Sequence, residues 1–178
     1  MKTIFCIIAE SGAGKDTIVE HLHKHGYKSV ISYTTRPRRD SEGNTHIFIT
    51  PEEVKQFKSN IAAYTNIAGF EYFTTIDQLK LIDIYVIDPK GYKYLKDKIK
   101  DIKFVPIYIS VDEQDRFGRA LNRGDKKEVI EKRFISEHKQ FQTFKSKEVF
   151  YSVPNYDTDN AVQIILEIMD VEGCEWDE

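Results

Sequence analysis

The chain of 178 residues fits one domain and is long enough to bury a substantial hydrophobic core. Hydrophobic residues make up 40% and charged residues 31%, which is ordinary for a soluble globular protein. The formal net charge of -3 argues against non-specific binding along nucleic acid, and no apolar stretch reaches the length of a membrane span.

Short apolar runs that alternate with helical patterns predict a parallel sheet with helices on both faces, an α/β fold. The predicted strands are Thr3–Ala9, Ser29–Ile31, Ile84–Ile87, Val105–Ser110 and Val149–Ser152. Helices are predicted at Lys15–His25, at Lys90–Lys98, from Ser110 with Glu113 in a capping box, and at Asp159–Val171. The first run, in MKTIFCIIAES, lacks a cleavage site and is interpreted as a buried strand, not a signal peptide.

The pattern changes between residues 32 and 81. His46–Ile49, Ala63–Ile67 and Phe70–Thr75 are typical of short antiparallel strands, and Thr50-Pro51-Glu52-Glu53 is typical of a helix start. We interpret this region as a subdomain at about 32–81, inserted in a single domain whose core is about 1–31 and 82–178. The basic segment Arg119–Lys127 contains a glycine and lies between two helices, which favours a lid at about 119–135.

Residues 7–18 read IIAESGAGKDTI, a glycine-rich turn between the first strand and the first helix. The turn differs from the phosphate-loop pattern G-x-x-x-x-G-K-[ST] at Ala9 and Asp16. Its glycines let backbone N–H groups turn inward, and the helix that follows adds its positive end, so the turn suits a phosphate chain. Lys15 can reach phosphate oxygens, and the Asp16 carboxylate can ligate Mg²⁺. The predicted ATP-binding residues of the loop are Glu10, Ser11, Gly12, Ala13, Gly14, Lys15, Asp16 and Thr17.

A second stretch, SYTTRPRRDSE at Ser32–Glu42, together with the glycine loop resembles the guanylate kinase family. The resemblance continues in AGFEYFTT and IDPKG, and then in RALNRG and EKRF, so that it covers nearly the whole chain. It implies a three-layer P-loop core, an inserted monophosphate-binding subdomain and a lid. The element order suggests the same organisation independently.

The resemblance also implies Mg²⁺-dependent phosphoryl transfer from ATP to a small phosphorylated acceptor, GMP or dGMP in the first instance. Rigid guanidinium forks suit such a site because they grip phosphate oxygens with two hydrogen bonds. The implied acceptor-binding residues are Ser32, Arg36, Arg39, Glu42, His46, Tyr72 and Asp88. On the donor side the resemblance adds Arg119, Arg123 and Asn155, and the implied catalytic set is Lys15, Arg36, Arg119, Arg123 and Arg133.

Two positions depart from the family pattern. His46 stands where guanylate kinases usually have a tyrosine on the acceptor phosphate. Ala63 stands where they have a glutamate that accepts hydrogen bonds from guanine, and a methyl group cannot do so, which weakens guanine specificity. Three alternatives therefore stay open: a ribose 1,5-bisphosphate phosphokinase, a monophosphate kinase for another base, and a non-catalytic interaction domain of the same fold.

The two cysteines, Cys6 and Cys174, indicate neither a disulfide framework nor a zinc site. Cytosolic thiols are kept reduced, so the sequence predicts a cytoplasmic protein. Its expected partners are ATP and the acceptor, with no nucleic acid and no membrane.

Overall fold

The computed structural model describes residues 1–38, 46–67, 69–147 and 150–173. The predicted site residues Arg39 and Glu42, and also Cys174, lie outside these ranges. In chain order the strands are β1 (Lys2–Ala9), β2 (Tyr33–Thr34), β3 (Ile47–Phe48), β4 (Ile61–Ile67), β5 (Phe70–Thr75), β6 (Ile84–Val86), β7 (Ile102–Ser110) and β8 (Tyr151–Pro154). The α-helices are α1 (Lys15–Lys24), α2 (Ile76–Lys80), α3 (Pro89–Lys98), α4 (Glu113–Asn122), α5 (Lys127–Lys147) and α6 (Thr158–Gly173), and a 3₁₀ helix covers Glu53–Phe57.

The central sheet has the strand order β6-β1-β7-β8, and all neighbouring strands are parallel. Ile7 of β1 pairs with Val86 on one side and with Ile107 on the other. The carboxyl ends of parallel strands meet at the same edge of a sheet, where ligands bind in open α/β folds. The residues just beyond β1, β6, β7 and β8 therefore form one edge of this molecule.

The sheet is covered on both faces, as the predicted α/β class requires. Phe5 and Ile7 of β1 pack in a cluster with α1 and α6, while Ile4, Cys6 and Ile8 face the opposite side. That second cluster includes buried residues of α3, α5 and β4. Full burial of one such aliphatic side chain contributes about 1.5–3 kcal/mol, so the two clusters dominate the stability of the fold. Burial also raises the pKa of the Cys6 thiol well above its ordinary value.

A second sheet, with the order β3-β2-β5-β4, is built from residues 33–75. β5 is antiparallel to β4, as predicted, and also to β2, a strand that the sequence did not predict. The prediction was wrong for β3, which pairs parallel to β2 with Tyr33 opposite Ile47. Parallel neighbours need a crossover of a dozen or so residues instead of a tight turn, and the long connection from β2 to β3 provides it.

Three predicted elements differ from the structure in more than the exact position of an end. Residues 29–31 form only an isolated bridge from Ser29 to Ile84 and no strand. The helix expected from Ser110 begins at Glu113 with Asp112 as its N-cap, because β7 continues through Ser110. The helix expected at Thr50 is a 3₁₀ helix.

Candidate functional site

The loop between β1 and α1 takes a conformation that only glycine tolerates at two positions. Gly12 and Gly14 have φ angles of +84° and +83°, in the left-handed region. A Cβ on Gly12 would lie 2.5 Å from the carbonyl oxygen of Arg116, and one on Gly14 would lie 2.6 Å from Nδ2 of Asn155. Both glycines are thus required by close approach as well as by backbone conformation.

The first turn of α1 presents the chemistry of an anion-binding site. Gly14 is the N-cap, and glycine has no side chain that could make a capping hydrogen bond. The first N–H groups of the helix are therefore available to a ligand. Lys15 is half-buried and has no ion-pair partner within the described residues. Asp16 and Thr17 are exposed on the same turn. This turn can hold a phosphate group next to a free cation and a free carboxylate.

Glu10 anchors the loop to the interior of the protein. Its buried carboxylate accepts a hydrogen bond from Tyr108 at 2.5 Å and pairs with Lys145 at 3.0 Å and Arg116 at 3.6 Å. Burial by itself raises the pKa of Glu10, but the hydrogen bonds from Tyr108 and Lys145 and the charge of Arg116 outweigh it and hold the pKa below its ordinary value. Burial and the bond to Glu10 raise the pKa of Tyr108. None of these partners of Glu10 was predicted from the sequence, in which the available signal was a carboxylate directly after a buried strand.

Two further side chains fasten the first half of the loop. Nη1 of Arg116 donates to the carbonyl oxygen of Ser11 at 3.2 Å. Glu137 of α5 accepts from the Ser11 backbone N–H at 3.0 Å and from the Ser11 hydroxyl at 2.5 Å. The sequence pattern did not indicate Glu137, which lies far from the loop along the chain.

Asn155 and Arg119 meet behind the second half of the loop. Asn155 is buried, and its Nδ2 donates to the carbonyl oxygen of Ala13 at 2.7 Å. The backbone carbonyl oxygen of Asn155 accepts a hydrogen bond from Nη2 of Arg119 at 2.8 Å. Arg119 is thereby held beside Gly14, where the loop passes into α1.

The other two arginines of the predicted lid contact an aspartate and not the loop. Nη2 of Arg123 bonds to Oδ2 of Asp125 at 2.5 Å, and Nη1 of Arg133 lies 3.7 Å from the same oxygen. The hydrogen bond from Arg123 lowers the pKa of Asp125. The structure therefore brings one of the three arginines to the loop and groups the other two around an aspartate.

A cavity of about 160 Å³ lies at the carboxyl end of β6 and includes several residues implied on the acceptor side. It is lined by Ser32, Ala63, Tyr64, Thr65, Tyr72, Phe73, Tyr85, Val86, Ile87, Asp88 and Gly91. Ala63 is buried and pairs with Thr74 across β4 and β5. The position of the expected glutamate thus faces this cavity with a methyl group.

His46 joins the acceptor-side residues through its ring. Its Nδ1 is 2.9 Å from the hydroxyl oxygen of Ser32, and its ring meets the ring of Tyr72 edge-on at 5.5 Å. On the other side it contacts Phe48, whose ring also lies 5.5 Å from the Arg36 guanidinium carbon. Ser32, Arg36, His46 and Tyr72 therefore form one continuous group.

Asp88 has two structural roles. As the N-cap of α3, its Oδ1 accepts from the N–H groups of Lys90 and Gly91 at 2.8 and 2.9 Å, and also from Nε2 of Gln140 at 3.2 Å. Its side chain is exposed and lines the cavity. No described residue donates to its second oxygen, Oδ2, so this atom is available to a bound molecule.

The loop and the cavity are neighbours at the carboxyl edge of the central sheet. The N–H of Ile87 donates to the carbonyl oxygen of Ile7 at 3.2 Å, which ties the segment after β6 to the end of β1. A phosphate chain on the loop would lie next to a second molecule in the cavity. This arrangement suits transfer of a phosphoryl group between two bound molecules.

The family model and the related sequences indicate one family. A family model described as guanylate kinase matches residues 1–172. The guanylate kinase of Helicobacter pylori strain 26695 is 31% identical over 173 residues, which cover 89% of this chain and 82% of that protein. The guanylate kinase of Chlamydia muridarum is 29% identical over 178 residues, which cover 93% of this chain and 85% of that protein. The crystal structure of guanylate kinase from Anaplasma phagocytophilum matches with a TM-score of 0.71 at 19% sequence identity. The match covers 98% of this chain and 88% of that one, and it shows a similar fold.

Proposed function

The chain belongs to the guanylate kinase family, and on this premise we propose that it transfers a phosphoryl group from ATP to GMP. Family membership confirms the resemblance in the sequence and makes the chain a nucleoside monophosphate kinase. The observation that carries the proposal is the adjacency of the phosphate loop and the acceptor cavity at one sheet edge.

We further propose a cytoplasmic location, which suits the free thiol of Cys6. Among the described residues, no helix combines the length and hydrophobicity that crossing a membrane requires.

The donor nucleotide would bind with its phosphates on the loop. The N–H groups at the start of α1 and the ammonium group of Lys15 supply the positive charge there. Arg119 stands beside Gly14 and can add a guanidinium fork to the same phosphates. Asn155 holds the loop through Ala13, and we propose that it also lies near the adenine base.

Mg²⁺ is the expected companion of ATP, and the residues of α1 fit it. Mg²⁺ usually binds one or two carboxylates together with substrate phosphates, not a closed cage of side chains. Asp16 offers one exposed carboxylate beside the loop, and the described residues contain no group of three or more acidic, histidine or cysteine ligands. When bound, the ion would offset charge on the phosphates. Asp16 is our proposed ligand.

The acceptor base would occupy the cavity at the end of β6. Oδ2 of Asp88 is positioned to accept a hydrogen bond from guanine, which Ala63 cannot do. The acceptor phosphate would lie on the group of Arg36, His46 and Tyr72. Arg39 and Glu42 are also proposed here on the family resemblance.

Phosphoryl transfer mainly requires correct orientation of the two substrates and positive charge around their phosphates. Arg36 and Tyr72 would hold the acceptor phosphate in line with the donor, which turns binding energy into orientation. The segment 119–135 is proposed as a lid whose closure would exclude water. Arg123 and Arg133 would then exchange their contact with Asp125 for the donor phosphates. No dedicated general base is required for a phosphate acceptor.

The test is an ADP-formation assay with ATP, Mg²⁺ and a panel of acceptors: GMP, dGMP, AMP, CMP, UMP, dTMP and ribose 1,5-bisphosphate. We expect turnover with GMP and dGMP. Lys15→Ala should lose at least about 100-fold in rate while its circular dichroism spectrum stays that of the wild type, because Lys15 has no ion-pair partner among the described residues. Turnover with a different acceptor alone would overturn the assignment to GMP. No turnover with any acceptor at saturating Mg²⁺ would overturn the kinase proposal in favour of an interaction domain.

A further inference from the structure

Glu137 places a carboxylate on the phosphate loop. Its Oε2 accepts from the backbone N–H of Ser11 at 3.0 Å, and its Oε1 accepts from the Ser11 hydroxyl at 2.5 Å. Both residues are half-buried. The carboxylate thus takes two donors of the same residue, which is the way an oxyanion of a phosphate group would bind there.

This contact differs from the others that hold the loop. Glu10 and Asn155 fasten the loop from behind: Glu10 directs its carboxylate to interior side chains, and Asn155 donates to a loop carbonyl. Glu137 instead saturates hydrogen-bond donors of the loop with a negative charge. A polyphosphate brings like charge to the same place, and like charges at close range repel.

Building on the proposed function, we propose that Glu137 competes with the terminal phosphate of ATP for Ser11 and has to leave when ATP binds. Loss of this contact does not require the rest of α5 to move. Phe141 and Phe144, further along the helix, are buried in the core, and Lys145 keeps its ion pair with Glu10. A rotation of the Glu137 side chain frees Ser11.

The departure of Glu137 would also suit the proposed lid. Arg133 lies four residues before Glu137 and therefore on the same face of α5. Its guanidinium is 3.7 Å from Asp125. The face of α5 nearest the loop thus carries the Glu137 carboxylate, which repels a phosphate. One turn earlier, the same face carries the Arg133 guanidinium, which attracts a phosphate.

The test compares nucleotide binding to wild type and Glu137→Gln by isothermal titration calorimetry. Glutamine keeps the shape and one acceptor oxygen but removes the charge. We expect the Kd for ATP to fall about three- to tenfold. The Kd for ADP, which lacks the terminal phosphate, should fall less, so that the ratio of the two changes. In steady-state assays the KM for ATP should fall while the KM for GMP stays that of the wild type.

Two variants serve as controls. Glu131→Gln removes the same charge from the same helix, but Glu131 pairs with Lys127 at 3.8 Å and does not contact the loop, so its ATP affinity should match the wild type. Glu137→Asp keeps the charge on a shorter side chain and should fall between wild type and Glu137→Gln. If Glu137→Gln does not fold, the comparison of Glu137→Asp with wild type carries the test.

The inference is overturned if the Kd for ATP is unchanged or raised in Glu137→Gln, if ATP and ADP change equally, or if Glu131→Gln gives the same gain. Failure of the proposed function is distinct, because wild type would then show no ATP binding and no ADP formation with GMP. An active wild type with an unaltered Glu137→Gln variant would refute only the role of Glu137.

Discussion

Substituting Gly12 by alanine tests how tightly the phosphate loop is built into the fold. Gly12 has a φ of +84°, which an L-residue adopts at a cost of about 1–2 kcal/mol. Its new Cβ would also lie 2.5 Å from the carbonyl oxygen of Arg116. That oxygen belongs to the backbone of α4, and Arg116 is pinned by its bonds to Ser11 and Val111. Relieving such an overlap costs about a further 1–3 kcal/mol, for a total of about 2–5 kcal/mol.

Gly26→Ala is the matched control. Gly26 has a φ of +91°, but a Cβ there would meet no described heavy atom within 4 Å. Only the backbone cost applies, about 1–2 kcal/mol. Urea unfolding of both variants should show a loss of unfolding free energy that is about 1–3 kcal/mol larger for Gly12→Ala. Equal losses would refute the reasoning that close approach to Arg116 demands glycine at position 12.

Substitutions at three other positions address the charges of the site. Because the pKa of Glu10 is held below its ordinary value of 4.5, its contribution to stability is full above that pH and is lost as the pH falls through the folded-state pKa. The excess unfolding free energy of wild type over Glu10→Gln should therefore be full at neutral pH and shrink in acid, and a pH-independent difference in urea titrations would contradict this. Ala63→Glu should restore an acceptor for guanine and lower the KM for GMP about tenfold relative to AMP; parallel changes for both would show that the base does not lie at Ala63. Asp16→Ala should raise the Mg²⁺ concentration that gives half the maximal rate, and Asp16→Ser should not; identical magnesium titrations of both variants and wild type would exclude Asp16 as a metal ligand.

Local patterns in the sequence predicted most of the fold. The run of buried residues in β1, the glycine turn and α1 occur where the pattern placed them, with differences of one residue at the ends. The polarity of β3 was not predictable, because alternation of side chains reports the strand and not its direction. The start of α4 was misplaced because Ser110 and Asp112 are both good N-caps, and only the pairing of Ser110 with Pro154 decides between them.

The site was less predictable than the fold. The loop and Tyr72 lie in short sequence motifs, and so they could be predicted as site residues from the sequence. The partners of Glu10 are distant in sequence: Tyr108 lies in β7, while Arg116 and Lys145 lie on different helices. Spacing along the chain contains no information about such contacts, since they depend on how the helices pack on the sheet. Glu137 was missed for the same reason.

The helix α5 contacts both halves of the proposed catalytic centre. Glu137 bonds to Ser11 of the loop, and Gln140, three residues later and on the same face, bonds to Asp88 of the acceptor cavity. A rotation of the Glu137 side chain alone leaves Gln140 in place, whereas a shift of the whole helix would move both side chains together. Any change in acceptor affinity that ATP produces through this helix must equal the change in ATP affinity that the acceptor produces. A shift of α5 as a whole would thus connect the two substrate affinities by a single coupling free energy, because the helix contacts both the loop and the cavity.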